Sequence, residues 1–444
     1  MWSIFNPIVR LCKAVRQYGL ALLALSALLL ATPVQAVPAF ARQAGQNCVA
    51  CHAGGQFPEL TPYGRLFKLT GYTIGERTVP LSVMGVISSS SIANAPEGTA
   101  KSAEPIFATG SLFVAGKITD NIGAFTQITY DPYAVDNGDG SFSGHTQADN
   151  IDIRFANHII GDKQDWIYGV SLNNNPSITD PWNSAAAWMQ YVPVPGPSSS
   201  AFIDGAAPYP GFGSGGNIAG INAYLYWNRT VYGEVGIYRT ANAALSFMSA
   251  GVDPRPQLSG NNPYWRLALS HEWGPHNIMV GASGMTAHVY DDPTDTSDPA
   301  SIDTFRNAGF DAQYQYILDP HVVTVQLASM KQETLYSDAV SAGQTNPGLS
   351  DTTTTTRAKV SYTYQAKYGG SLSAFNLSGT TNNQSDPATS GITYEAFFIP
   401  KQNVRIGAQY TTYKTYQGAS TNYDGAGRNA SDNNSMFLYV WFAY

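Results

Sequence analysis

A membrane-spanning antiparallel β-barrel of about sixteen strands is the fold class this sequence predicts, and three observations predict it. Charged residues are scarce (12%) beside many aromatics (12%), and the chain holds 42 glycines and 27 tyrosines. No apolar run after residue 36 approaches the ~20 residues that a membrane helix requires. From about residue 80, segments of roughly ten residues with alternating character recur, divided by joints that are short and long in turn. The formal net charge of −7 argues against a nucleic-acid partner.

Residues 1–36 read as a secretory leader. Arg10, Lys13 and Arg16 make a basic start, Gly19 to Ala31 is apolar, and Val34-Gln35-Ala36 supplies small residues for cleavage. Removing that leader takes the net charge from −7 to −10 and removes Cys12. Cys12 precedes the apolar stretch, so it is not a lipid-anchor cysteine. Of the three cysteines, the mature chain keeps Cys48 and Cys51.

Those two lie in Cys48-Val49-Ala50-Cys51-His52, and the pattern C-x-x-C-H attaches a c-type haem. The thiols form thioethers to the haem vinyl groups, and His52 becomes the proximal iron ligand. The competing readings are a redox-active or disulfide-forming pair with an incidental histidine, and a zinc site. The exported context and the contiguous histidine favour haem over the first. The lack of a second cysteine pair counts against the second.

The haem segment, 37–78, is too short to support a core of its own. A haem also needs an apolar shell to tune its potential. Phe40, Phe57, Leu60, Leu66 and Phe67 are the candidates to cover the porphyrin, and a barrel lumen would supply the remaining burial. Arg65 and Lys68, three apart, fall on one side of a short helix expected to start after Pro62. They would meet either the haem propionates or acidic lumen groups. The sixth iron ligand is not fixed by the sequence. Met84 is the methionine nearest the motif, His158 has inward parity, and the site is also readable without a protein sixth ligand.

The barrel domain is expected over 79–444. Its strands are placed near 81–92, 106–118, 121–131, 149–160, 166–175, 219–228, 230–240, 263–273, 277–289, 305–318, 321–335, 354–367, 371–381, 391–399, 403–416 and 434–444. Short joints carry turn chemistry, among them Asn228-Arg229, Asp319-Pro320 and Tyr368-Gly369-Gly370. The longest joint runs from Pro176 to Ile218. Alternation points Ile151, Ile153, Phe155 and Ile159 at lipid, with Asp152, Arg154 and His158 inward. It likewise points Trp265, Leu267 and Leu269 outward and Arg266, Ser270 and Glu272 inward. Ala358, Val360, Tyr362 and Tyr364 face out, against Arg357, Lys359, Thr363 and Lys367. Inward Arg154, Arg266, Arg357, Lys359 or Arg405 would pair with propionates. The closing Leu438 to Tyr444 is an alternating strand with a terminal aromatic. Asp291, Asp292, Asp295, Asp298 and Asp303 would gather cations on an outer loop or simply hold water there. Asp136 to Gly140 resembles part of a calcium loop but lacks the distal Glu.

Phe40-Ala41-Arg42-Gln43, the C-x-x-C-H, and then Pro58, Leu60, Tyr63, Gly64, Arg65, Phe67 and Lys68 together carry a resemblance. The segment is similar to the fused monohaem cytochrome–porin family, whose best-known members are outer-membrane iron(II) oxidases of iron bacteria. The close match covers under a tenth of the chain, and the barrel matches in kind. The resemblance implies one covalent haem c and the outer membrane of a Gram-negative bacterium, with lipid around the barrel. It implies electron transfer from extracellular Fe(II) or another redox donor to a periplasmic cytochrome or copper protein. On that reading the chain is an Fe(II):cytochrome c oxidoreductase or a pure electron-transfer protein. The alternatives are a diffusion porin with a haem-bearing structural or sensory plug, and electron export to extracellular acceptors.

Overall fold

The computed structural model describes residues 38–55, 59–94, 104–137, 141–184, 217–251, 256–298, 301–337 and 349–444. The expected leader, Phe57, Pro58, residues 138–140 and the Pro-rich stretch 193–200 lie outside the described residues. Sixteen strands follow one another: β1 (Leu81–Ile92), β2 (Ile106–Lys117), β3 (Ile122–Asp136), β4 (Phe142–Ile160), β5 (Asp165–Asn173), β6 (Ile218–Trp227), β7 (Val231–Thr240) and β8 (Asn262–Trp273). The second half comprises β9 (His276–Tyr290), β10 (Ile302–Leu318), β11 (His321–Leu335), β12 (Asp351–Tyr364), β13 (Tyr368–Gly379), β14 (Thr389–Lys401), β15 (Val404–Thr415) and β16 (Ser435–Ala443). Each pairs antiparallel with its neighbours in sequence, and β1 pairs with β16, Met84 opposite Ala443, to close the barrel.

Closure leaves no strand edge, and alternation then decides what the wall shows on each side. On β8, Trp265, Leu267 and Leu269 are exposed outside, while Arg266 and Ser270 are buried inside. Val235, Phe310, Val360 and Leu438 continue the exposed apolar wall on other strands. Such a surface is costly in water and favourable in hydrocarbon, so the cylinder is a membrane-spanning barrel. The seven short joints hold two to four residues each and gather at one end, with the start of β1 and the end of β16.

The expected faces hold on β8, and on β12 as far as Tyr364. Four details differ. Tyr368-Gly369-Gly370 is not a turn but the start of β13. The turn is Gln365-Ala366-Lys367, where Gln365 and Ala366 adopt φ of 55° and 50°. The glycines are needed for space instead: a Cβ on Gly369 would sit 2.4 Å from the Phe397 ring. Lys367 therefore does not face inward; its ammonium lies over the rings of Tyr368 and Phe398. Ile151 does not meet lipid directly, because Met248 from the β7–β8 joint packs with it and Ala219. β3 and β4 also extend further than expected, since their polar ends pair beyond the reach of apolar alternation.

Before β1 the described residues form three short α-helices: α1 (Pro38–Ala44), α2 (Cys48–Cys51) and α3 (Pro62–Leu69). Pro62 opens α3 as expected. The Thr61 hydroxyl accepts from the Gly64 N–H at 3.1 Å, and proline at the first position loses no bond. Gly71 at φ 74° and Tyr72 at φ 60° turn the chain away after α3.

These helices lie inside the barrel. The Tyr72 hydroxyl donates to Asp152 of β4 at 2.6 Å, and Tyr224 of β6 donates to the Leu69 carbonyl at 2.6 Å. Arg65 reaches Gln315 of β10 at 3.0 Å, and Glu59 meets Lys359 of β12 at 2.5 Å. Most of these wall residues lie toward the short-joint end of their strands. Asn174 to Ser184 folds in from the opposite end, with a helical turn α4 (Pro176–Thr179), and lies against the plug.

Candidate functional site

The C-x-x-C-H occupies a single helical turn followed by a sharp exit. The His52 N–H donates to the Cys48 carbonyl at 2.8 Å, and His52 itself is extended at φ −117°, ψ 130°. It pairs antiparallel with Leu60, and Ala53 N–H donates to the Glu59 carbonyl at 2.8 Å. The Thr61 hydroxyl donates to the Ala50 carbonyl, and the Thr61 N–H to that of Cys51 at 2.9 Å. α3 is thus fastened to the motif turn. Gly64 allows this: a Cβ there would stand 2.1 Å from the Cys51 carbonyl oxygen.

Cys48, Cys51 and His52 are the donors that would hold a c-type haem. No disulfide joins Cys48 to Cys51. Burial, with Cys48 adding to it, pushes the Cys51 thiol up to about 11. A redox-active pair needs the opposite, a thiol pulled toward the thiolate. Among the described residues no set of three or more His, Cys, Asp and Glu side chains is arranged for a metal ion. Burial pulls the His52 imidazole down to about 4 against the opposing pull of Glu59, so it is neutral at pH 7, as an iron ligand must be.

Arg65 and Lys68 do share one side of α3; Arg65 meets the wall, and Lys68 meets the infolded segment 174–184. Arg65 donates to the Leu60 carbonyl at 2.8 Å, to Gln315 and Asn277 at 3.0 Å and to Glu272 at 3.2 Å. Lys68 donates to the Asp180 carbonyl at 2.8 Å, and burial pulls its ammonium down to about 8.

The inward wall cations also meet protein groups. Arg154 pairs with Asp152 at 2.6 Å, Arg266 binds Asp311 through two 2.8 Å bonds, and Arg405 pairs with Glu395 at 2.7 Å. Lys359 pairs with Glu59. Arg357 is buried inside the lumen.

Met84 faces the lumen on β1, packed against the cluster of Val86, Phe437, Tyr439 and Trp441. Its strand partner Ala443 donates to the Asn403 carbonyl at 3.0 Å, beside Gln402, whose carbonyl lies 3.8 Å from the Cys48 sulfur. Met84 therefore shares the short-joint rim with the motif. His158 holds Asp165 through Nε2 at 2.6 Å.

Several residues at the site carried no sequence signal. Glu59 and Tyr72 are plug residues with wall partners. Asp180 caps its own turn through the Trp182 and Ser184 N–H groups, each at 3.0 Å, and lies 3.3 Å from Arg266. Trp182 packs edge-on against Tyr226 and Tyr232 and lies 6.0 Å from the Arg65 guanidinium. Asn175-Pro176-Ser177 was the readable hint, a capped helix start within the longest joint.

No protein-family model matches the chain, and no curated protein matches it. Solved structures of similar shape are outer-membrane proteins. One is OmpF of Salmonella typhi in complex with daunomycin, with a TM-score of 0.45 and 12% identity over 82% of this chain and 97% of that one. Another is outer-membrane-expressed OmpT of Vibrio cholerae, with a TM-score of 0.45 and 10% identity over 82% and 97%. A third is the outer-membrane channel DcaP of Acinetobacter baumannii, with a TM-score of 0.43 and 10% identity over 82% and 96%.

Proposed function

We propose that this chain is an electron-transfer protein of the Gram-negative outer membrane. On this reading it links an extracellular donor, Fe(II) by family resemblance, to a periplasmic cytochrome or copper protein. The observation that carries the reading is the placement of the motif: Cys48 to His52 is wedged in the lumen at the short-joint end, the periplasmic end of such barrels. Cys48 and Cys51 would hold haem c covalently, and His52 would be its proximal ligand. When bound there, the group supplies one-electron exchange at a potential set by axial ligation, burial and nearby charge. The chain's own residues do the rest. Arg65, Tyr72 and Glu59 fix the plug to the wall, Lys68 fixes it to the infolded joint, and Trp182 and Asp180 of that joint cover it from the other side.

The test is a haem stain and alkaline-pyridine spectrum of the purified barrel, followed by stopped-flow mixing with Fe(II) across pH. Covalent haem that Fe(II) reduces supports the reading; absence of covalent haem overturns it. Covalent haem that Fe(II) leaves oxidised at every pH removes iron as the donor, and a redox titration then decides between another donor and electron export.

A second reading, a diffusion porin whose plug is structural or sensory, is favoured by the closed sixteen-stranded cylinder itself. Liposome swelling separates the two, because sugar flux at ordinary porin rates is incompatible with a filled lumen.

A further inference from the structure

We infer that Lys359, a residue of the barrel wall, sets the charge beside the haem by neutralising Glu59, and so tunes the potential of a site that lies on another part of the chain. This rests on the function proposed above.

The geometry puts Glu59 next to the iron-ligand position. Its backbone carbonyl accepts from Ala53, the residue after His52, and its neighbour Leu60 is the strand partner of His52. The Glu59 side chain is buried, so little water screens its charge. The Lys359 ammonium meets it at 2.5 Å, with the two side chains 10% and 8% exposed. No lysine or arginine lies between Cys48 and Glu59 in the sequence. The compensating charge therefore arrives from β12, 300 residues away.

A carboxylate beside a haem favours the ferric state, which carries one more positive charge than the ferrous state. An ammonium disfavours it. The bonded pair largely cancels, and breaking it from either side leaves opposite net fields. Opposite signs are the signature that a purely structural contact cannot give.

The experiment is a spectroelectrochemical titration of the purified, haem-loaded full chain at pH 7 for wild type, Lys359→Met, Glu59→Gln, the double variant, and Lys359→Arg as the conservative replacement. At a fixed ambient potential, Lys359→Met is expected to lower the ratio of reduced to oxidised haem about tenfold, and Glu59→Gln to raise it about tenfold. For a one-electron couple that is ~59 mV in each direction. The double variant and Lys359→Arg should return close to wild type. Single variants that shift the same way, or not at all, while keeping a normal haem spectrum overturn the inference. Wild-type protein with no covalent haem overturns the proposed function instead.

Discussion

Arg65 is where the plug depends most on one side chain. Its guanidinium serves the plug's own Leu60 carbonyl and three wall residues on β8, β9 and β10. Replacing it by Gln leaves Glu272 without its ion pair and Asn277 and Gln315 without their donor. Glu272 is one-third exposed, so water recovers part of the loss. We expect Arg65→Gln to weaken plug docking by about 2 kcal/mol, measured as lost protection of 38–75 from protease. Lys68 makes docking depend on pH. Its ammonium titrates at about 8 when docked and near 10.5 when free. The free plug then holds more protons between those values, so docking strengthens as pH rises through them. The slope is read from pH 8 to 9, below the ordinary thiol value of 9.0 from which Cys51, pushed up to about 11 when docked, pulls increasingly the other way. Lys68→Met should abolish the upward slope of protection in that window. None of these partners was legible in the sequence. Basic residues three apart on a helix announce a face, but not whether that face meets a cofactor or a carboxylate 207 residues away.

Among the elements, α3 and the motif turn act as one piece, and Gly64 is the reason. Gly64→Ala would drive a methyl group into the Cys51 carbonyl, a backbone atom that cannot swing aside. The expected cost is about 1–3 kcal/mol. It should appear as reduced covalent haem per barrel, while the heat-modifiable mobility of the barrel on gels stays normal. Gly45→Ala is the contrast, since no atom lies within 4 Å of its added Cβ. It carries only the backbone strain of φ 61°, and haem content should change little. The strands were the legible elements. Each has a centre where lipid on one side and lumen on the other impose a period of two, and those centres were found. The ends were less legible because water imposes no period, as the extended β3 and β4 show. The tight turn at Gln365-Ala366 escaped notice because it lacks the Asn or Gly that usually marks positive φ.

For the whole molecule, the plug and barrel depend on each other unequally. The wall is a complete hydrogen-bonded ring without the plug, whereas the plug's polar partners are mostly wall residues. A chain lacking 38–75 should still assemble and should conduct ions in planar bilayers at porin-like levels. The full chain should show a small fraction of that conductance; equal conductance would mean the lumen is open around the plug. The number of strands and the alternation of joint lengths were readable because both follow from spanning a bilayer. The docking of the plug was inferred only from its being too short to stand alone, and its contacts needed the fold. The brief link to β1 adds a kinetic consequence. Glu76 to Pro80 are all that separate the plug from the first strand, a leash of five residues and ~17 Å when drawn out. A plug that slips its contacts cannot diffuse away. It hangs at the rim at high effective concentration and recaptures its seat, so excursions are brief and self-correcting even when several anchors have been cut.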